Sequence, residues 1–262
     1  MSHTSTIPAP TSAAFDRDAL PQYSRRQVLA VWAAVTAPMF VLSWLVSPWL
    51  GHRIGGQHGF VTALVLCFNA GLLWEIALVA VLVHRERGSL RWPEVRDALW
   101  LRAPQDPRTG RVGGRVWWWI ALFVVLTAAV NALPIDPVGP LNRDLPKALE
   151  MHSLDGYFAG NWMAFALITV NALLAPVAED LVFRGLLLPR MRAVCGRWDV
   201  VANATIFTAY HLHQPWSMPA TFLDSLINQA WATKRFRSTW FGLITHTAPS
   251  FLIIGVILAL VV

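Results

Sequence analysis

The sequence predicts an all-α integral membrane protein, a polytopic helical bundle with about seven or eight transmembrane helices. Three observations predict it. Hydrophobic residues make up 55% of the chain, the mean hydropathy is +0.47, and apolar runs long enough to cross a bilayer recur along the 262 residues. A spanning helix needs about 20 such residues, because the rise per residue is small against the thickness of the hydrocarbon core. Charged residues are only 14%, well below the roughly 25% of soluble domains.

Residues 1–27 are rich in Ser, Thr, Pro and Ala and read as a disordered cytoplasmic tail. They lack the apolar core and cleavage site of a signal peptide, so the first apolar run is expected to stay as an anchor. Residues 28–262 form the bundle. Runs at 28–50, 59–83 and 116–134 are expected spans. A fourth, at 157–178, continues to about Leu188, where Pro189 breaks it. Shorter, more mixed spans follow at 199–213 and 217–233. The last run, 239–262, contains Pro249, which is expected to kink or divide it. That gives seven spans, or eight if the fourth or the last run counts twice.

Arginine placement orients the bundle. The 84–115 loop carries eight Arg against four acids and is expected on the cytoplasmic side. The 135–156 loop is acidic on balance and is expected outside. Arg190, Arg192 and Arg197, then Lys234, Arg235 and Arg237, return the next turns to the cytoplasm. Within the first basic loop, Leu90 to Arg102 mixes apolar and charged residues as a helix lying on the membrane surface would. Many of the fourteen Trp sit near the ends of apolar runs, as an interfacial belt requires. The net charge of +6 lies in loops beside the spans, which fits membrane topology and not nucleic acid. Cys67 and Cys195 share no metal-ligand spacing and are read as structural.

Chemistry concentrates at Glu179-Asp180-Leu-Val-Phe-Arg184, three charges in an apolar stretch. Ionisable groups at membrane depth are costly and mark functional sites by default. Asp180 and Arg184 are one helical turn apart and can pair. Glu179 lies about 100° around the helix from Asp180 and is free to face a different cavity as a general base acting on water. Two further apolar spans carry His211, one turn after Phe207, and His246, one turn before Ser250. Two imidazole donors helped by a hydroxyl would stabilise a tetrahedral oxyanion. His213 is expected at an interfacial turn. Glu75, a lone acid in the second span, is expected to line a cavity or to snorkel towards the cytoplasmic side.

These residues resemble the CPBP family of intramembrane proteases, which includes the CAAX prenyl endopeptidases and the bacterial Abi-type membrane proteins. The family pattern is Glu-Glu-x-x-x-Arg, then Phe-x-x-x-His, then His-x-x-x-Asn or a variant. This chain has Glu179-Asp180-Leu-Val-Phe183-Arg184, Phe207-Thr-Ala-Tyr-His211 and His246-Thr-Ala-Pro-Ser250. The likeness runs from about 157 to 255, the expected catalytic core. It implies that Glu179 activates water, that Arg184 supports the acidic motif, and that His211 and His246 complete the site, with His246 in the oxyanion hole. Two positions depart from the pattern: Asp180 replaces the second glutamate and Ser250 replaces the common asparagine.

The leading expectation is therefore a membrane endopeptidase with Glu179, Asp180, Arg184, His211, His246 and Ser250 as site residues and no cofactor. A zinc variant would use Glu179, His211 and His246 as ligands, a three-ligand catalytic set. An inactive scaffold or immunity protein is the alternative that Asp180 and Ser250 favour. An ion-coupled transporter is a third, without the internal symmetry of many transporters. The expected substrate is a membrane-associated or lipidated peptide. Lys147 and Lys234 are the only lysines among 21 basic residues, a bias that suggests a GC-rich bacterial genome and a bacterial plasma membrane. Prenylated proteins are not expected there. Oligomeric state is not legible in the sequence.

Overall fold

The computed structural model describes residues 20–56, 58–139 and 155–262. The first nineteen residues of the expected tail, and most of the expected outer loop, lie outside these. Among the described residues every regular element is helical, and the one β feature is an isolated bridge between Gln105 and Val112.

The first helix, α1 (Arg25–Ile54), starts from a capping box between Ser24 and Gln27. Pro38 and Pro48 each lack an N–H, and between them the helix widens into a π turn at Leu42–Val46. Helix α2 (Gly59–Arg87) runs back along it and ends at the left-handed Gly88. A short helix, α3 (Trp92–Ala98), leads to α4 (Gly114–Asn131). The long helix α5 (Trp162–Arg190) is capped by the Asn161 side chain and runs through Pro176. It continues two residues past the expected break, because Pro189 sits in a closing 3₁₀ turn where its missing N–H matters little. Then come α6 (Asp199–Tyr210), α7 (218–236, widened over Ser225–Trp231) and α8 (Thr239–Val261).

Among the described residues, α1, α2, α4, α5 and α8 are long and apolar enough to cross a membrane. Helix α6, with twelve residues, is about 18 Å long, short of the hydrocarbon core. Helix α7 is as long as α4 but too polar, carrying Asp224, Asn228, Gln229, Lys234 and Arg235. The division that would have made eight spans does not occur: Pro249 lies inside an uninterrupted α8, and the charged motif lies inside α5.

The segment 90–102 is only partly the surface helix that its composition suggested. Ala98, Leu99, Trp100 and Leu101 are all buried. Trp100 takes a left-handed φ of 52°, which turns the chain inward. Thr239 at the start of α8 bonds both carbonyls there, its N–H to Trp100 and its hydroxyl to Leu99. Leu99 rests against Gly185, where a Cβ would meet the Leu99 carbonyl at 3.1 Å.

One apolar core joins α1, α2, α5 and α6, around Met39, Phe68, Phe183 and Phe207. Polar pins hold its helices in register. Asn69 of α2 bonds the Leu167 carbonyl and accepts from Asn171, both on α5. Trp32 and Trp44 of α1 donate to the Ile206 and Leu212 carbonyls. At the end of α5, Arg190 is fully buried and forks onto Glu86 at 2.7 and 2.9 Å. Of these, the Arg190–Glu86 fork holds the motif-bearing end of α5 against α2.

Candidate active site

The charged motif lies in the last turns of α5, where the backbone widens into a π segment at Leu181–Leu187. Such widenings disturb the regular ladder and often mark functional positions. Asp180 and Arg184 have no exposed side-chain surface, and Nε lies 3.2 Å from Oδ1. Arg184 Nη2 donates to Ser225 Oγ at 2.9 Å and also to Gln229 Oε1, both on α7. Its guanidinium carbon stands 3.8 Å over the Phe207 ring of α6, a cation–π contact made strong by the absence of water. Desolvating the ion pair is expensive, and these further partners offset that cost.

The α7 partners are themselves fixed. Gln229 donates to Asp224 Oδ2 at 2.8 Å, and Asn228 to Oδ1 at 2.6 Å. Gly242 lets α8 close over the pair: a Cβ there would meet Thr233 Oγ1 at 2.9 Å and Asp180 Oδ2 at 3.5 Å.

Helix α8 brings His246 to both acids. Nε2 is 3.7 Å from Glu179 Oε2, and Nδ1 is 3.6 Å from Asp180 Oδ2. The two acids therefore do not face wholly separate surroundings, because one imidazole edge bridges them. They differ in access: 8% of the Glu179 side chain is exposed and none of Asp180. His246, at 23%, is the most open of the three.

A cavity of about 410 Å³ opens between α4, α5, α6, α7 and α8, lined by His211, His246, Ser250, Asp224 and Pro176 among others. His211 Nδ1 lies 3.0 Å from the Phe207 carbonyl. A carbonyl only accepts, so Nδ1 carries the proton and Nε2 of the neutral ring is an acceptor. Of the two expected imidazole donors, His246 is thus the one whose geometry leaves a donor available. The Ser250 hydroxyl donates to the Ala172 carbonyl at 2.7 Å, a bond that ties α8 to α5 at the cavity wall. The structure brings five of the expected residues into one assembly and sets Ser250 one turn along the same cavity.

Glu75 does not snorkel. It is fully buried. Its partners are the Tyr210 phenol, by a side-chain hydrogen bond, and the like charge of Glu179. Its place in the middle of α2 leaves it too far from either helix end to reach water. His213 is likewise buried, not interfacial. The 3₁₀ turn at His211–His213 brings its ring to 5.3 Å from that of His211, near-parallel.

The residues that sequence reasoning passed over are Ser225, Gln229 and Asp224. Their signal was present: polar groups at one-turn spacing inside the 217–233 run should have been flagged by the same cost argument that flagged Glu179. No three His, Cys, Asp or Glu residues among those described are placed to hold a metal ion together.

Residues 161–260 match the sequence model of the family described as "Type II CAAX prenyl endopeptidase Rce1-like". The match supports placing the chain in the CPBP/CAAX protease family, and it covers α5 to α8, the four helices that carry every motif above. No curated protein and no solved structure gives a significant match to the chain.

Proposed function

With residues 161–260 assigned to the CPBP/CAAX protease family, we propose that this protein is an intramembrane endopeptidase in which Glu179 activates water. The observation that carries this reading is the contrast within the motif: Asp180 is sealed onto Arg184, while Glu179 keeps partial access beside a cavity-lining histidine. A water on that edge loses a proton to Glu179 as its oxygen attacks the scissile carbonyl. His246 donates to the oxyanion that forms, and the proton held by Glu179 then passes to the leaving amine. His211, with Nε2 as acceptor, receives a hydrogen bond from the attacking water or the peptide N–H. Proton transfer by a positioned carboxylate contributes about 10²- to 10⁴-fold.

The proposed substrate is a membrane-associated peptide carrying a lipidated or otherwise apolar tail, as the family implies, entering from the side with the basic loops. We take that side to be cytoplasmic from the arginine distribution. Glu179→Gln should reduce cleavage by at least about 10²-fold and leave the thermal midpoint in detergent nearly unchanged. The readout is comparative proteomics of membranes from cells carrying either form, and equal cleavage by both would sink the mechanism.

One observation favours an inactive scaffold as the second reading. The Ser250 hydroxyl, at the family's asparagine position, is engaged with Ala172 and does not point a free donor at the reaction centre. Under that reading neither form cleaves a peptide.

A further inference from the structure

On the far side of α7 from Arg184, two cavities meet. One, of about 680 Å³, is lined by Arg197, Trp198, Lys234, Arg235 and Arg237. The other, of about 420 Å³, is an apolar groove walled by Trp119, Leu122, Phe123, Leu126 and Ile227. They share Asp106, Pro107, Trp231 and Arg235, so a cationic bowl opens into an apolar channel.

The charges in the bowl are not spent on one another. Lys234 pairs with the buried Asp199. Arg197, Arg235 and Arg237 make no ion pair with any described carboxylate, and Arg197 lies over the Trp198 ring at 5.2 Å. Asp106, the remaining acid, accepts the backbone N–H groups of Arg108 at 2.7 Å and Thr109 at 3.0 Å. Those bonds, from Thr109 first and then Arg108, hold its carboxyl below the usual range. Its charge serves its own turn.

Arg237 adds an independent sign. It closes α7 with a left-handed φ of 51°, a position where glycine or asparagine would be less strained. A strained arginine at the rim of a cationic bowl indicates that its charge is needed there.

We propose that the paired cavities bind an anionic phospholipid, its phosphate in the basic bowl and an acyl chain along the apolar groove. Charge complementarity selects the head, and the adjoining tryptophans Trp198 and Trp231 suit the level of lipid head groups. A free phosphate would leave the groove empty, and a zwitterionic lipid would leave the guanidinium groups unneutralised. The lipid would lean on the outer face of α7, whose inner face holds Arg184 through Ser225 and Gln229.

The test uses the full-length protein, stripped of lipid in neutral detergent, with native mass spectrometry and thermal unfolding. Dioleoyl phosphatidylglycerol should be retained at least ten-fold better than dioleoyl phosphatidylcholine and should raise the thermal midpoint. Glycerol phosphate at the same concentration should not raise it. Arg237→Gly, which relieves the backbone strain and so keeps the fold, combined with Arg235→Gln should weaken phosphatidylglycerol retention by about ten- to thirty-fold, on the usual contribution of each surface cation. Equal retention of the two lipids, protection by glycerol phosphate alone, or unchanged retention in the double variant would each overturn the proposal.

Discussion

Helix α7 separates two charged clusters that handle the same problem in opposite ways. On its inner face Arg184 has no exposed surface and meets Asp180, Ser225, Gln229 and the Phe207 ring. On its outer face Arg235 and Arg237 meet no described carboxylate. A charge sealed from water needs partners supplied by the fold, whereas one that keeps its water can wait for a partner from outside. The inner cluster is therefore built for permanence and the outer one for exchange. Glu179 is intermediate in access, largely buried yet keeping 8% of its side chain exposed beside the cavity-lining His246.

The largest expected effect separates Glu179 from its neighbour in catalysis. Glu179→Gln should reduce cleavage by about 10²- to 10⁴-fold, with stability changed by less than about 1 kcal/mol, because the amide fills the same space. Asp180→Asn should act mainly on the fold. It leaves Arg184 buried without its counter-charge, which costs about 3–5 kcal/mol, visible as a large fall in the thermal midpoint. If the two variants proved equally stable, the division between a structural acid and a reacting acid would be wrong.

Half of this division was legible in the sequence. The i,i+4 spacing of Asp180 and Arg184 is local, so periodicity alone pairs them. Ser225 and Gln229 lie 41 and 45 residues further on, and nothing local says which face of α7 would meet Arg184. The same limit hid Glu75, whose neighbour Glu179 sits on a different helix. His213 was misplaced for another reason: it does lie in a turn, but that turn is packed inward against Phe68 of α2 and Tyr210, and local sequence does not show which turns are covered. The burial of Leu99 to Leu101 escaped because the mixed composition of 90–102 fits a surface helix as well as a plug. The bundle itself was legible because hydropathy reports length directly, and only the short α6 and the polar α7 blurred the count of spans.

Glu75 sharpens the comparison at a smaller scale. It is as buried as Asp180 but has no arginine; it meets the Tyr210 phenol and a second carboxyl, Glu179. A group in that state weakens the fold unless function retains it. Glu75→Gln keeps the shape, removes one carboxyl beside Glu179, and should raise the thermal midpoint by about 2–4 °C, the shift expected for about 1 kcal/mol in a chain of this size. Cleavage assayed across pH on the same sample separates the two reasons for its presence. A changed pH profile would make Glu75 a residue that positions or tunes Glu179, whereas an unchanged one would leave it a packing element of α2.

The smallest expected effect lies on the outer face. Arg235→Gln in lipid-free detergent should leave stability within about 0.5 kcal/mol of the parent, as surface substitutions without fixed partners do. Arg235 is half-buried and lines both outer cavities, so the prediction is not trivial. If its guanidinium were braced by the fold, as that of Arg184 is, losing it would cost several kcal/mol and the thermal midpoint would fall at once. A near-zero change in lipid-free detergent, beside the collapse expected for Asp180→Asn, would show that α7 separates a charge the fold needs from a charge it offers. A fall of more than about 2 kcal/mol would place Arg235 with the inner cluster and remove the contrast between the two faces.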